Sequence, residues 1–164
     1  MGTGKTTVGM LLAERLQYRF VDTDQLIEQR CGMTIHELFR TRGEQVFRDM
    51  EAGAARELGG GEGMVISTGG RLMLDQANSQ ALTANGQAFC LVATPEEILR
   101  RVSADSGGKR PLLDTADPLA RVVELLEERR QGYARFTQVI TTGRSPQEIV
   151  DQLLDSFIID RKER

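Results

Sequence analysis

MGTGKTTVG, residues 1–9, decides how the rest of the chain is read. Gly2 and Gly4 flank Thr3, and Lys5, Thr6 and Thr7 follow. Glycine lets backbone N–H groups turn towards an anion and approach it closely. From Lys5 onwards, Val8, Leu11, Leu12 and Leu16 recur at the spacing of one helix face. A helix starting there offers unpaired N–H donors and the positive end of its dipole to the same anion. The pattern is the second half of a phosphate-binding loop. Gly2, Thr3, Gly4, Lys5, Thr6 and Thr7 would cradle nucleotide phosphates, with Lys5 on the outer phosphates and the Thr6 hydroxyl on Mg²⁺. The plainer alternative is a glycine-rich helix start carrying an unrelated Lys-Thr pair, and the periodic helix behind it argues for the nucleotide.

Outward from the loop, helical and extended patterns alternate. Short strands are expected at 18–22, 64–68, 88–93 and 138–142. Helices are expected at 23–31, 34–41, 44–58, 75–82, 95–103, 118–136 and 146–157. Thr34 with Glu37 three residues on is a capping-box pair, and Thr94 caps a helix opened by Pro95. Residues 105–114, DSGGKRPLLD, form a polar loop, and 160–164, DRKER, a solvated, frayed tail. This alternation implies a parallel sheet covered on both faces, in one domain spanning 1–164.

Composition narrows the function. The net charge of −3 disfavours a general nucleic-acid binder, because phosphate attraction needs cations. No apolar run is long enough to cross a bilayer, and no signal peptide precedes the loop. Cys31 and Cys90 lie far apart in different elements, which reads as reduced thiols in a cytoplasm. His36 has no Cys or carboxylate at ligand spacing, so there is no case for zinc.

Several polar residues sit where chemistry is expected. Asp22 and Asp24 are two apart at the end of a strand, a spacing that in extended backbone puts both carboxylates on one side. Strand ends of open α/β sheets are where ligands bind. One carboxylate would serve a metal and the other the proton of an attacking hydroxyl. Capping of the next helix by Asp22 or Thr23 is an equal alternative. Arg48 would clamp a carboxylate bidentately, or form an ordinary surface pair with Glu51. Gly69 and Gly70 follow a buried strand, where a substrate approaches the backbone or the chain simply turns. Arg110, before Pro111, would close over phosphates and exclude water. Arg129 and Arg130 lie on a charged helix, and spacing alone does not choose between them.

Asp-Thr-Asp at 22–24, Gly-Glu-x-x-Phe-Arg-x-x-Glu at 43–51, Thr-Gly-Gly at 68–70 and Arg-Pro-Leu-Leu at 110–113 stand in that order. Together with the loop and the Glu-Arg-Arg-Gln-Gly-Tyr run at 128–133, the chain from Met1 to about Phe157 resembles shikimate kinase. That resemblance implies a P-loop, nucleoside-monophosphate-kinase-like α/β/α fold with parallel strands in order 2-3-1-4-5. It implies transfer of the γ-phosphate of ATP to the 3-hydroxyl of shikimate, with Mg²⁺, by a cytoplasmic monomer. By the same resemblance Lys5 and Thr6 serve phosphates and metal, Asp22 holds Mg²⁺ through water, and Asp24 is the hydroxyl partner and base. Arg48 and Arg129 clamp the shikimate carboxylate, Gly69 and Gly70 contact substrate, Arg110 belongs to a lid near 104–116, and Arg101 and Arg144 lie on the adenine side. A substrate-binding subdomain falls near 23–52. The alternatives are another small-molecule kinase, such as a gluconate kinase, or a nucleotide-binding relative without catalysis.

The chain departs from the family pattern twice. Arg71 stands where the family has a third glycine, which would narrow the pocket or add a cation for the substrate carboxylate. The first strand and first loop glycine are missing ahead of Met1, as if the start were taken at an internal methionine about ten codons late. A sheet without its central strand would leave backbone groups unpaired, so a chain of this extent is expected to be badly destabilised.

Overall fold

A computed structural model describes residues 2–104 and 115–162, with side chains up to Phe157 in the last helix. Met1, the expected lid arginine Arg110 with the rest of 105–114, and 163–164 lie outside the described residues. The elements run α1 (Lys5–Leu16), β1 (Arg19–Asp22), α2 (Thr23–Cys31), α3 (Ile35–Gly59), β2 (Met64–Ser67), a 3-10 turn (Leu72–Leu74), α4 (Gln76–Thr83), β3 (Phe89–Val92), α5 (Pro95–Ala104), α6 (Pro118–Ala134), β4 (Thr137–Ile140) and α7 (Pro146–Lys162). They group into two compact units, Gly9–Ala88 and Met1–Val8 with Phe89–Arg164.

In the unit Gly9–Ala88, β1 and β2 pair in parallel, with Arg19 opposite Met64 and Asp22 opposite Ser67. Gly9 admits the Phe20 ring, since a Cβ there would lie 2.7 Å from Cε2. Asp22 caps α2, and Gly32, at φ 68°, ends it in the left-handed conformation that suits glycine. Thr34 and Glu37 form the expected capping box at the start of α3. The two helices expected at 34–41 and 44–58 are joined without a loop. Only Gly43, at φ 83° and ψ 167°, leaves helical geometry between them. Ile27, Leu38 and Phe47 form a core under α2 and α3, with Met33, Phe39 and Met50 packed against it.

In the other unit, β3 and β4 pair in parallel, with Phe89 opposite Thr137 and Val92 opposite Ile140. Strand β4 ends at Ile140, short of the expected 142. Thr141 and Thr142 are used instead as ties. The Thr141 amide donates to the Val92 carbonyl at 2.7 Å, and the Thr142 hydroxyl accepts from the Thr94 amide at 3.0 Å. Thr94 caps α5 and Asp117 caps α6 ahead of Pro118. Ala93, Ile98, Val102 and Val122 form the core of this unit. Helix α7 runs to Lys162, so the segment expected to fray from 160 is helical for three further residues.

Each strand has one partner among the described residues, and no strand precedes α1 there. Val65, Ile66, Leu91 and Val92 are accordingly only half-buried, where strands paired on both edges and covered on both faces would bury them fully.

Candidate active site

The phosphate loop is built by glycine backbone. Gly2 and Gly4 have φ of 66° and 92°, which side-chain-bearing residues rarely adopt. A Cβ on Gly2 would also lie 2.9 Å from Val102 Cγ2 and 3.0 Å from the Ile98 carbonyl oxygen. The first bond of α1 runs from the Val8 amide to the Gly4 carbonyl at 2.9 Å. The amides of Lys5, Thr6 and Thr7 therefore have no partner one helical turn earlier, which is the donor set an anion would take. Thr6 and Thr7 are exposed and Lys5 is half-buried.

Arg101 pins this loop. Its Nε donates to Glu97 at 2.7 Å, its Nη1 to the Thr141 hydroxyl at 3.0 Å and the Gly2 carbonyl at 3.5 Å, and its Nη2 to the Thr141 carbonyl at 2.9 Å. The guanidinium edges are thus engaged with protein. Arg144 donates to the Ile140 and Glu148 carbonyls and to Gln152. Arg129 and Arg130 are separated by the structure. Arg129 is half-buried and bonded to Tyr133, whose hydroxyl burial pushes up in pKa while Arg129 opposes the shift. Arg130 is 76% exposed and pairs with Glu127 at 3.6 Å.

The unit Gly9–Ala88 holds the acidic candidates Asp22 and Asp24. Strand β1 ends at Asp22, and Asp24 lies in the first turn of α2 rather than in extended backbone. The extended-backbone argument for two carboxylates on one side therefore does not hold, because Asp22 is the extended cap and Asp24 is already helical. Asp22 Oδ1 accepts from the Asp24 and Gln25 amides at 3.0 and 3.2 Å, so the capping role weighed for Asp22 is present. That cap uses one of its two oxygens.

Thr23 is fully buried, and its hydroxyl accepts from the Gly69 amide at 3.0 Å. This bond fixes the turn after β2 against the start of α2. A Cβ on Gly69 would overlap Asp24 Oδ1 and lie 3.2 Å from Glu51 Oε1. Only glycine lets two carboxylates flank this backbone.

Arg48 is the cation of the cluster. Its Nη1 donates to Glu51 Oε2 at 2.6 Å, and its Nε and Nη2 donate to Glu44 Oε1 at 3.0 and 2.7 Å. Partial burial works against its charge, but the bonds to Glu44 and Glu51 outweigh it and hold its pKa above the ordinary value. Burial raises the Glu51 carboxyl, with Arg48 offsetting part of the shift, and Arg48 holds the Glu44 carboxyl below its usual range. Glu51 is 2% exposed, so it is not the surface partner that spacing allowed. The signal was present in the sequence: Glu51 shares a helical stripe with Phe47, Ala54 and Leu58, all buried. Glu44 and Thr23 lie within the motifs at 43–51 and 22–24 but were given no role at the site from sequence.

The donors suit Mg²⁺ better than a transition metal. Mg²⁺ keeps much of its water and takes one or two carboxylates beside phosphates. The Asp22 carboxylate in one unit and the exposed Thr6 hydroxyl in the other are each oxygen donors of that kind. Among the described residues no group of three or more His, Cys, Asp or Glu could hold a metal ion.

A family model described as shikimate kinase matches residues 1–157. A shikimate kinase of Thermus thermophilus is 40% identical over 158 residues, covering 96% of this chain and 85% of the relative. A solved shikimate kinase of Acinetobacter baumannii, in complex with shikimate, has a TM-score of 0.87 at 32% identity and covers 100% of this chain and 91% of its own. A gluconokinase of Sinorhizobium meliloti, with a TM-score of 0.61 at 18% identity, covers 99% of this chain and 90% of its own and shares the fold alone. A glycine-built anion loop opening α1, parallel strand pairs and this coverage agree: the chain has the P-loop kinase fold and belongs to the shikimate kinase family.

Proposed function

We propose that the protein transfers the γ-phosphate of ATP to the 3-hydroxyl of shikimate, giving shikimate 3-phosphate. The observation that carries this reading is Arg48 braced by the buried Glu51 beside a glycine turn that Asp24 also lines. An acceptor with a carboxylate and a hydroxyl on one small ring needs a fixed cation for the first and a carboxylate for the proton of the second. Glu51 holds the guanidinium plane, so little side-chain freedom remains to be lost when the acceptor docks.

Lys5 and the amides at the start of α1 would bind and orient the ATP phosphates. Thr6 and Asp22, the latter through water, would hold Mg²⁺, which when bound neutralises charge on the phosphates. Asp24 would take the proton of the attacking hydroxyl, and Gly69 and Gly70 would let the acceptor approach the backbone. Arg129 would share the acceptor carboxylate, Arg101 and Arg144 would flank the adenine, and Arg110 would close over the phosphates. Residues near 23–52 would form the acceptor-binding part of a single kinase domain, with a lid near 104–116. No helix among the described residues is long and apolar enough to cross a membrane. A cytoplasmic monomer is the setting this reading implies.

A coupled assay of ADP release with shikimate, gluconate or no acceptor tests the proposal. Shikimate-dependent release is the expected result. Gluconate dependence, or no turnover with any acceptor, would overturn it.

A further inference from the structure

Arg48 meets two carboxylates of different character. Glu51 is 2% exposed and takes Nη1, whereas Glu44 is 53% exposed and takes the Nε and Nη2 edge. That edge is one of the two guanidinium forks able to receive a carboxylate side-on. Glu44 therefore occupies the position an acceptor carboxylate would need. It does so as an anion, since Arg48 keeps its pKa low and Arg71 adds to the effect.

Arg71 stands beside this arrangement. Its Nη1 lies 3.8 Å from the same Glu44 Oε1, longer than a hydrogen bond, and its side chain is 60% exposed. The backbone that brings it there is the turn after β2, whose Gly69 amide is tied to Thr23. A second cation is thus poised next to Glu44, without the contact to Glu51 that fixes Arg48.

We propose that Glu44 is a displaceable stand-in for the substrate carboxylate on Arg48, and that Arg71 receives Glu44 when the substrate arrives. This rests on the reading of Arg48 as the carboxylate clamp. The incoming carboxylate repels Glu44 and competes for one fork. Glu44 then closes the gap to Arg71, so no anion is left facing another. Glu51 stays in place throughout, because removing a buried partner is costly while releasing an exposed one is cheap. Arg71 is by this reading a positioning residue that sets shikimate affinity through Glu44 and does not touch the substrate.

The competition reduces affinity by the fraction of molecules in which Arg48 is occupied. Glu44→Gln is expected to lower the shikimate KM about threefold to tenfold, and Arg71→Gly to raise it by a similar factor. In the Glu44→Gln background Arg71→Gly is expected to have no effect, because there is no anion left to receive. Both changes fall on shikimate KM, with kcat and the ATP KM moving less than about twofold. Both side chains are exposed, and thermal melts of the variants serve as the control for folding. An Arg71→Gly effect of equal size in both backgrounds would mean direct substrate contact and overturn the proposal, as would a shikimate KM unchanged in both single variants. Arg48→Ala separates this from the clamp itself. If Arg48→Ala raises shikimate KM strongly while Glu44 and Arg71 variants do nothing, only the stand-in role fails. If Arg48→Ala leaves KM unchanged, the clamp reading and the stand-in fall together.

Discussion

Gly69 and Asp24 are packed so closely that a Cβ on the glycine would overlap the Asp24 carboxylate and sit 3.3 Å from its Cγ. The contact exists because the Gly69 amide donates to the buried Thr23 hydroxyl, one residue before Asp24. Gly69→Ala must therefore move the carboxylate or the turn. A displacement of about 1 Å at a reacting group costs on the order of a hundredfold in rate. Gly69→Ala is expected to lose about that much kcat for shikimate in the ADP-release assay. Wild-type kcat in this variant would show that Asp24 need not stand where it does.

Asp24→Asn keeps the shape and removes the base. Turnover is expected to fall about 10²- to 10⁴-fold, the usual contribution of a positioned acid–base group. ATP affinity, measured by displacement of a fluorescent nucleotide, is expected to survive. Retained kcat would take Asp24 out of the base role.

Glu51 carries a stability signature. Its folded pKa is raised by burial, so the native state holds its proton to higher pH than the unfolded chain does. Its contribution is fully present below the ordinary carboxylate pKa and declines as pH rises through the raised value. Arg48→Met deepens that decline, because it leaves a buried carboxylate unpaired, at a cost of about 3 kcal/mol near neutral pH. Arg48→Met with Glu51→Leu is expected to recover much of the stability but not shikimate binding. Chemical denaturation of both variants at pH 5 and 8 checks the sign.

Glu97 works in the opposite sense. Hydrogen bonds from Arg100 and Arg101 hold its pKa to about 2, from an ordinary 4.5. Its contribution is present above the ordinary value and is lost as pH falls towards 2. Glu97→Gln is expected to flatten the fall in Tm between pH 5 and 3 and to loosen Arg101, which also reaches Gly2. An unchanged acid limb would show that this carboxylate does not govern acid unfolding.

Much of this was legible before any coordinates. Apolar spacing placed α1 and α2 with their observed ends, and Thr34, Glu37 and Thr94 announced their caps, because these signals are local. Less local features were harder. The helix rule of three to four residues joined Arg48 to Glu51, but burial decides whether such a pair is a loose surface contact or a fixed brace. The approach of Arg71 to Glu44 depends on a turn pinned to another element by Thr23, a bond between residues 46 apart. The rule that two carboxylates two residues apart share a side holds only in extended backbone, and it was carried one residue too far: the helix begins at Thr23, and Asp22 is spent partly on starting it.

The break in α3 has a consequence for which substitutions the chain tolerates. A Cβ on Gly43 would meet nothing within 4 Å, so judged by space the position is open to any residue. Its φ of 83° and ψ of 167° fall in a region that essentially only glycine occupies. Any side chain there must either accept that strain or let the two helical segments fuse into one rod. Fusion would carry Glu44, one residue on, out of the first turn of its segment. Gly43 is thus an articulation whose permissiveness is set by the backbone, and a mutational screen that scores empty volume would rank it among the safest sites when it is among the least replaceable.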